Sequence, residues 1–513
     1  MKRLILYTIC SVIIFLEAWC LPISQHQGEE ITPDSIDSSS FFQIDDSLLR
    51  ISSPESHNRM RRASVVYGTF SHIQKLHYTP NNPVTPHYLI ITTPLLYDSL
   101  RTDIITYAED VHAIYGYGIY LEVVDNPNPD QLKSLIIDCR NNCYQNNLCG
   151  VIFIGSLGEA FYEIENDHGE HGYQNWPCDL YFMDLNGNWI DSDNNGIYDQ
   201  HTGDVAPEIF LARLSVQGLS AVGEEIPAIR KQLRKSHDFW WKADYNVSDK
   251  ALCYIDDDWC MDYRFPLFDL NPIYGPNNIV NIRYCYTSSP FSPSDYLTRL
   301  SQNVYGFTLL ASHSNPILHQ FTNGDIFVSN ILNNNSSCYL FNLFCCCACN
   351  WTSSSNPNYI GGAYLFNNGK TIAVVGTTKI GGMYGGNEFY SQFPSKNVGE
   401  SFLYWWKTHC GNSHDNTTVY WHYGMTILGD PTIRLAHKVS DVCVNDLVLT
   451  SYPYMNLSNL VIFRAASTIT VSDDFFIPQG VHVIFDAPQV IFEDGFTCPV
   501  GSSIETRHEG CEL

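Results

Sequence analysis

The chain has 513 residues, enough for two to four domains and a large core, with 44% hydrophobic and 13% aromatic residues. A formal net charge of −26, with no sizeable Lys/Arg cluster, excludes a nucleic-acid binder, because phosphate backbones demand a positive protein face. An acidic surface of this kind suits solubility outside the cell or affinity for calcium.

Residues 1–20 read as a signal peptide: Lys2 and Arg3 give a basic start, Leu4 to Leu16 is nearly all apolar, and Ala18 and Cys20 are small residues near a cleavage point. A lipid anchor on Cys20 is the competing reading, poorly served by Glu17 and Trp19 beside it. The apolar run is too short for a comfortable membrane span and no later run reaches about 18 residues, so the mature chain is expected to carry no transmembrane segment. Residues 21–85, rich in Ser, Pro, Asp and Gln, read as a flexible leader or pro-segment. Within it, Arg61-Arg62 is either a processing site or an ordinary exposed basic pair.

From residue 86 strands and helices alternate. HYLIITT, GIYLEVVD, GVIFIGS and EIFLARLSV read as strands, separated by helical spacing over 97–114 and after Pro127, by an acidic loop over 165–208, and followed by a helix near 222–241. The second half repeats the pattern with KALCYIDD, YGFTLLASHS, CYLFNLFCC and KTIAVVGTT as strands, and with YIGGAYLFNN and GESFLYWWKTH as helices. Continuous apolar strands alternating with helices imply a parallel sheet covered on both faces. The expected division is an N-terminal α/β subdomain over 86–230, a catalytic subdomain over 231–437 and a small all-β domain over 438–513. The last alternates apolar and polar residues between regularly spaced turns, which fits a small sandwich or coiled β-stack used for adhesion or carriage.

The chain holds 18 cysteines, and export makes disulfides chemically possible. Spacing brings together Cys139, Cys143 and Cys149, then Cys253 with Cys260, and Cys498 with Cys511. The run Cys345-Cys346-Cys347 differs, since adjacent cysteines rarely satisfy disulfide geometry with one another. In a parallel sheet functional groups collect beyond the carboxyl ends of strands. Here GFTLLAS runs into His313 and CYLFNLF runs into the cysteine run. A thiol becomes a nucleophile when an imidazole takes its proton or stabilises the thiolate. Backbone amides at the strand end can then hold an oxyanion.

The stretch LLASHSNPILHQF … CYLFNLFCCCACNW … NYIGGAYLFNNGKTIAVVGTTKIGGM … GESFLYWW … HYGMTILGDPTIRL resembles gingipain-type cysteine peptidases and their relatives in secreting bacteria, over roughly residues 86–437. The resemblance implies a caspase-like fold, with a histidine after one sheet strand and the nucleophilic cysteine after the next. It implies His313 and Cys346 as the pair, since relatives carry an aromatic residue five positions after the cysteine and Trp351 fits Cys346. Cys345 and Cys347 are alternatives within the run, and His319 is an alternative base. The amide of Ser314 would help form the oxyanion hole, although relatives carry Gly after the histidine. Two true His-Gly pairs, His168-Gly169 and His171-Gly172, lie far upstream and read as a surface loop or an additional metal contact. The glycines of GTTKIGGMYGG read either as a close-approach wall for a peptide or as a flexible turn.

In the acidic loop, Asp191, Asp193, Asn195, the carbonyl of Ile197 and Asp199 have the alternating oxygen spacing of a calcium loop, with Gly196 at the sharp turn. Thr202 stands where a twelfth-position Glu is usual, so Asp204 or Glu208 would complete the set. The expectation is thus a bacterial, secreted or cell-surface cysteine endopeptidase acting on protein or peptide substrates, with structural calcium, no organic cofactor and possible surface association through its C-terminal β domain. An inactive peptidase-like binding or adhesion protein is the alternative.

Overall fold

The computed structural model describes residues 71–80, 84–241, 250–261, 270–285, 290–352, 358–435, 444–449 and, with interruptions at 473–474, 478, 480 and 509, residues 460–510. The signal peptide, Cys20, Arg61-Arg62 and Cys511 lie outside these residues.

The strands of the first half are β1 (Ser71–Tyr78), β2 (His87–Thr92), β3 (Gly118–Asp125), β4 (Leu148–Ile154), β5 (Phe161–Ile164), β6 (Gln174–Pro177), β7 (Asn188–Ile190), β8 (Gln200–Thr202) and β9 (Phe210–Leu214). The second half adds β10 (Ala251–Ile255), β11 (Ile279–Arg283), β12 (Val304–Ala311), β13 (His313–Asn315), β14 (Leu318–Phe321), β15 (Gly324–Phe327), β16 (Ser337–Phe344), β17 (Ala373–Thr377) and β18 (Met425–Gly429). Eleven of them form one sheet in the order β1-β3-β2-β4-β9-β18-β17-β16-β12-β10-β11. Its neighbours are parallel except β1 on β3 and β17 on β18. β18 is parallel to β9 and antiparallel to β17, so the two halves run in opposite directions and meet at one pairing, Leu428 with Arg213. Strand β1 falls within the span expected as a leader and pairs with β3 through Tyr78↔Ile119.

The central strands are buried along almost their whole length because helices cover the sheet, as their unbroken apolar runs require. Helix α1 (Pro94–Tyr115) begins at Thr93, whose hydroxyl accepts the Leu96 amide, and ends at Gly116 with φ +67°. Helix α2 (Pro129–Asn142) starts with a reciprocal Asn128/Gln131 capping box. Helices α3 (Glu225–Trp241), α4 (Pro293–Gln302), α5 (Ile360–Phe366), α6 (Val398–Trp405) and α7 (Asn416–His422) belong to the second half of the pattern or its approach.

Beyond residue 443 the elements among the described residues are all strands. Strands β19 (Val444–Leu449), β20 (Leu460–Val471), β21 (His482–Asp486), β22 (Gln489–Phe492) and β23 (Ser503–Arg507) pair in parallel, with Leu460↔His482 and His482↔Ser503 stacking successive passes of the chain. This coiled stack has its own core, including Phe463, Ile469, Val483 and Phe485, separate from the core of the large sheet.

Candidate active site

The parallel ladder of β12 and β16 ends at Ala311↔Phe344 and is extended by Ser312 N–H donating to Phe344 O at 3.3 Å. His313 and Cys346 each lie two residues beyond that last pair, on strands whose spacing in a sheet is about 4.8 Å. The register therefore brings the histidine and the cysteine run to adjoining strand ends.

His313 is exposed, and its Nε2 lies 2.6 Å from Asp258 Oδ2. Asp258 sits in the 3-10 turn Asp257–Trp259 just after β10, the other neighbour of β12. Desolvation opposes a charge on His313, but the Asp258 hydrogen bond and charge outweigh it and hold the imidazolium above its ordinary range. The Trp259 ring lies 4.8 Å from that of His313. Beneath the turn Asp256 accepts Thr322 N–H and hydroxyl at 3.1 and 2.8 Å, which anchors it to β14–β15; burial pushes its carboxyl up to about 6. Among the described residues no hydrogen bond joins His313 to a cysteine sulfur.

The three cysteines have different surroundings. Cys345 is buried and faces back into the sheet, with its sulfur 3.6 Å from Ser312 Oγ and 3.7 Å from Leu310 O; burial pushes its thiol up to about 12. Cys346 is partly exposed; burial still pushes its thiol up, opposed by the Gly381 amide and the nearby Lys379 cation. Cys347 has φ +56°, a left-handed conformation uncommon outside glycine, and its N–H donates to Lys379 O at 2.8 Å. Cys349 N–H donates to Thr377 O at 2.9 Å, so the turn is stitched to the end of β17.

His319 is fully buried on β14; its Nδ1 is 3.1 Å from Ser314 Oγ, and burial pushes it down to about 3. Ser314 in turn donates its hydroxyl to Leu318 O at 2.9 Å. Trp351 donates its indole N–H to Glu159, and its ring lies 5.0 Å from the guanidinium of Arg213. In the GTTKIGGMYGG segment, a Cβ on Gly381 (φ +144°) would come within 2.5 Å of Trp421 O, and one on Gly382 within 2.7 Å of the Phe344 ring. These two glycines serve close packing against the chain itself. The loop that carries His168 is exposed at Asn166, Gly169, Glu170 and Gly172, but the His168 ring turns inward, stacking on Tyr420 at 5.1 Å and sitting edge-on to Trp421 at 4.9 Å.

The acidic loop makes tight Asx turns. Asp191 accepts the amides of Asn195 and Gly196 at 3.1 and 2.8 Å, Asp193 accepts that of Asn195 at 3.2 Å, and Asn195 Oδ1 accepts that of Ile197 at 2.7 Å. The Asp199 carboxylate accepts Ser192 Oγ–H at 2.9 Å. Asp204 and Glu208 belong instead to the preceding turn, where Asp204 accepts from Asn186 at 3.3 Å and Glu208 from Leu185 N–H at 2.7 Å. Among the described residues no three or more His, Cys, Asp or Glu side chains gather closely enough to hold a metal ion. The described cysteines are all free thiols, so the pairs suggested by spacing are not joined where both members are described. Cys143 Sγ, for instance, donates to Cys139 O at 3.2 Å. No helix among the described residues is long and apolar enough to cross a membrane.

Sequence reading missed Asp258 as a partner of the histidine. Its signal was an acidic triplet, Asp256-Asp257-Asp258, closing the strand KALCYI. Which strand neighbours that of His313 became visible only once the sheet order was known.

The model of peptidase family C25 matches residues 81–436. Among solved structures the chain is similar to the Arg-specific cysteine proteinase gingipain R, with 12% identity and a TM-score of 0.46 over 70% of this chain and 80% of that one. It is similar to a complex of the Porphyromonas gingivalis RgpB pro- and mature domains at 11% identity and TM-score 0.47, covering 71% and 84% of the two chains. A structure described as a protease matches at 14% identity and TM-score 0.48, covering 73% and 84%. No curated protein matches the chain.

Proposed function

We propose that this chain, which belongs to peptidase family C25 and is a cysteine-type peptidase, cleaves peptide bonds with Cys346 as nucleophile, His313 as proton carrier and Asp258 orienting the histidine. Cys346 sulfur attacks the scissile carbonyl carbon, forming a C–S bond. The His313 imidazolium gives its proton to the departing amine as the C–N bond breaks. Water then cleaves the thioester, with His313 taking a proton from it and the freed thiolate leaving. Amides near Ser314 and the cysteine turn hold the oxyanion.

The observation that carries this reading is the register Ala311↔Phe344, from which His313 and Cys346 are each two residues away. The surroundings of the three sulfurs favour Cys346 over its neighbours: Cys345 faces inward, and although Cys346 and Cys347 are both partly exposed near the Lys379 cation, only Cys346 also has the Gly381 amide opposing its protonation. His319, buried and neutral, supports the Ser314 turn. Export by the N-terminal apolar run gives the enzyme protein substrates outside the cell or at its surface.

An inactive scaffold is the second reading, favoured by Ser314 in the position after the histidine and by the absence, among the described residues, of a hydrogen bond from His313 to a thiol. One experiment separates the two. A peptidyl acyloxymethyl ketone should label Cys346 in the wild type, and Cys346→Ala should abolish both labelling and general proteolysis. Labelling that falls on Cys345 or Cys347, or proteolysis that survives Cys346→Ala, defeats the assignment, and an unlabelled wild type supports the inactive scaffold.

The Asp191–Asp199 turn is read as a structural calcium loop on its oxygen spacing alone, since its carboxylates do not gather as a metal site and accept turn amides instead. Calcium should raise the unfolding temperature of the wild type and not of Asp191→Asn; equal response of both proteins, or of neither, refutes it.

A further inference from the structure

Beside the cysteine turn lies a buried charge pair that the hydrolytic step above does not use. Lys379, two residues beyond β17, has its amine 2.9 Å from Asp167 Oδ2, and both side chains are buried. The same amine donates to Ile380 O at 2.6 Å and to Tyr420 O, and lies 4.8 Å from the centre of the Trp176 ring. Burial pushes the amine down, and the Asp167 charge opposes that. Removing two ions from water is costly, so stability alone does not account for such a pair.

Its surroundings supply a reason. Lys379 O receives the Cys347 amide, and the Gly381 amide is directed at the Cys346 sulfur, so residues 379–381 form one wall of the cysteine turn. Asp167 arrives from the other half of the sheet, on the connection between β5 and β6, and His168 beside it is held at φ +52° against Tyr420 and Trp421. The Thr378 hydroxyl donates to Pro177 O at 2.7 Å, clamping the same hairpin to the same segment. The titratable groups acting on Lys379 or on its charge are Asp167 and His168 from the hairpin, Cys346 and Cys347 from the turn, and His422 from α7.

We propose that Lys379, held by Asp167, is a positioning residue for the nucleophile: it pins the 379–381 wall against the cysteine turn and lends a positive charge to the Cys346 thiolate. The hairpin of the N-terminal half thereby sets the reactivity of a thiol in the C-terminal half. The inference rests on Cys346 being the nucleophile, and its test reads that thiol directly.

Iodoacetamide alkylation of Cys346, located by peptide mass mapping, is followed against pH in the wild type, Lys379→Met and the double variant Lys379→Met/Asp167→Asn. Loss of the cation should move the alkylation midpoint of Lys379→Met to higher pH by about one unit, in the range expected for a nearby opposite charge. The double variant should shift the same way but less, because the opposing charge of Asp167 is also gone. If the orphaned carboxylate prevents Lys379→Met from folding, the double variant carries the test alone. An unchanged midpoint in a folded variant overturns the inference while leaving the peptidase reading intact. A wild-type Cys346 that resists alkylation while Cys345 or Cys347 reacts overturns both.

Discussion

Asp258 and His313 make a pair whose strength is set by geometry more than burial. Both side chains are over half exposed, yet a 2.6 Å contact joins them, and Trp259 flanks the ring on one side. A carboxylate here fixes which imidazole nitrogen faces away, and so which one meets the thiol. Asp258→Asn keeps the shape and removes the charge. Its kcat/KM should fall about 100-fold, the order of a lost acid–base contribution. Because Asp258 holds the imidazolium above its ordinary range, the alkaline limb of the pH profile should also move to lower pH, as the protonated ring is lost earlier. A pH–rate profile on a peptide substrate checks both, and an unshifted alkaline limb would mean that Asp258 only packs. The run of three cysteines looks degenerate in sequence, but the chain end separates them: the first faces the sheet interior, the other two are partly open, and the third occupies left-handed backbone.

At the scale of elements, the seam between the two halves is the most demanding feature. β9 and β18 share a single paired position, so side chains must join what the ladder does not. Arg213 on β9 forms a buried ion pair with Asp179 at 2.8 Å, and Asp179 also accepts the Thr426 hydroxyl of β18 at 2.7 Å. The guanidinium lies 5.1, 5.7 and 5.0 Å from the rings of Phe153, Phe182 and Trp351, the last carried on the loop that follows the cysteine run. Arg213→Met would leave Asp179 buried without its cation. Chemical denaturation should show a loss of about 3–5 kcal/mol, the usual cost of breaking a buried pair from one side; a loss below about 1 kcal/mol would show that the pair is replaceable by packing. The helix starts, in contrast, are local. Thr93-Pro94, Asn128-Pro129, Ser292-Pro293 and Asn397 each cap their helix through side chains within three residues, a signal local to the sequence that sequence reading used only at the helix after Pro127.

For the whole molecule, two cores are built by two different sequence periods. The large sheet buries continuous apolar strands under helices, whereas the β-stack after residue 443 buries alternate residues of short parallel strands. The two clusters share no residue. A chain ending at residue 437 should therefore keep a cooperative unfolding transition and a kcat/KM within about twofold of the full chain, as expected of units with separate cores. Loss of the transition on truncation would show that the stack completes the peptidase fold. The strongly acidic charge belongs to this scale as well, since it sets solubility and not topology.

By itself the sequence determined the alternation of strands and helices, the β character of the C-terminal region, and the strand ends that carry His313 and the cysteine run. Each of these depends on contacts within a few residues, or on whether a face is wetted or buried, and so leaves a local trace. Tertiary structure alone decided that Asp258 meets His313, that Asp167 reaches Lys379 across the halves, that β1 joins the sheet, and that the sheet reverses direction at β18. These pairings join residues from 41 positions apart, Tyr78 with Ile119, to 212 apart, Asp167 with Lys379. A single chain carries no local mark of which strand will lie beside which, because that is settled by how the faces of many elements bury one another at once.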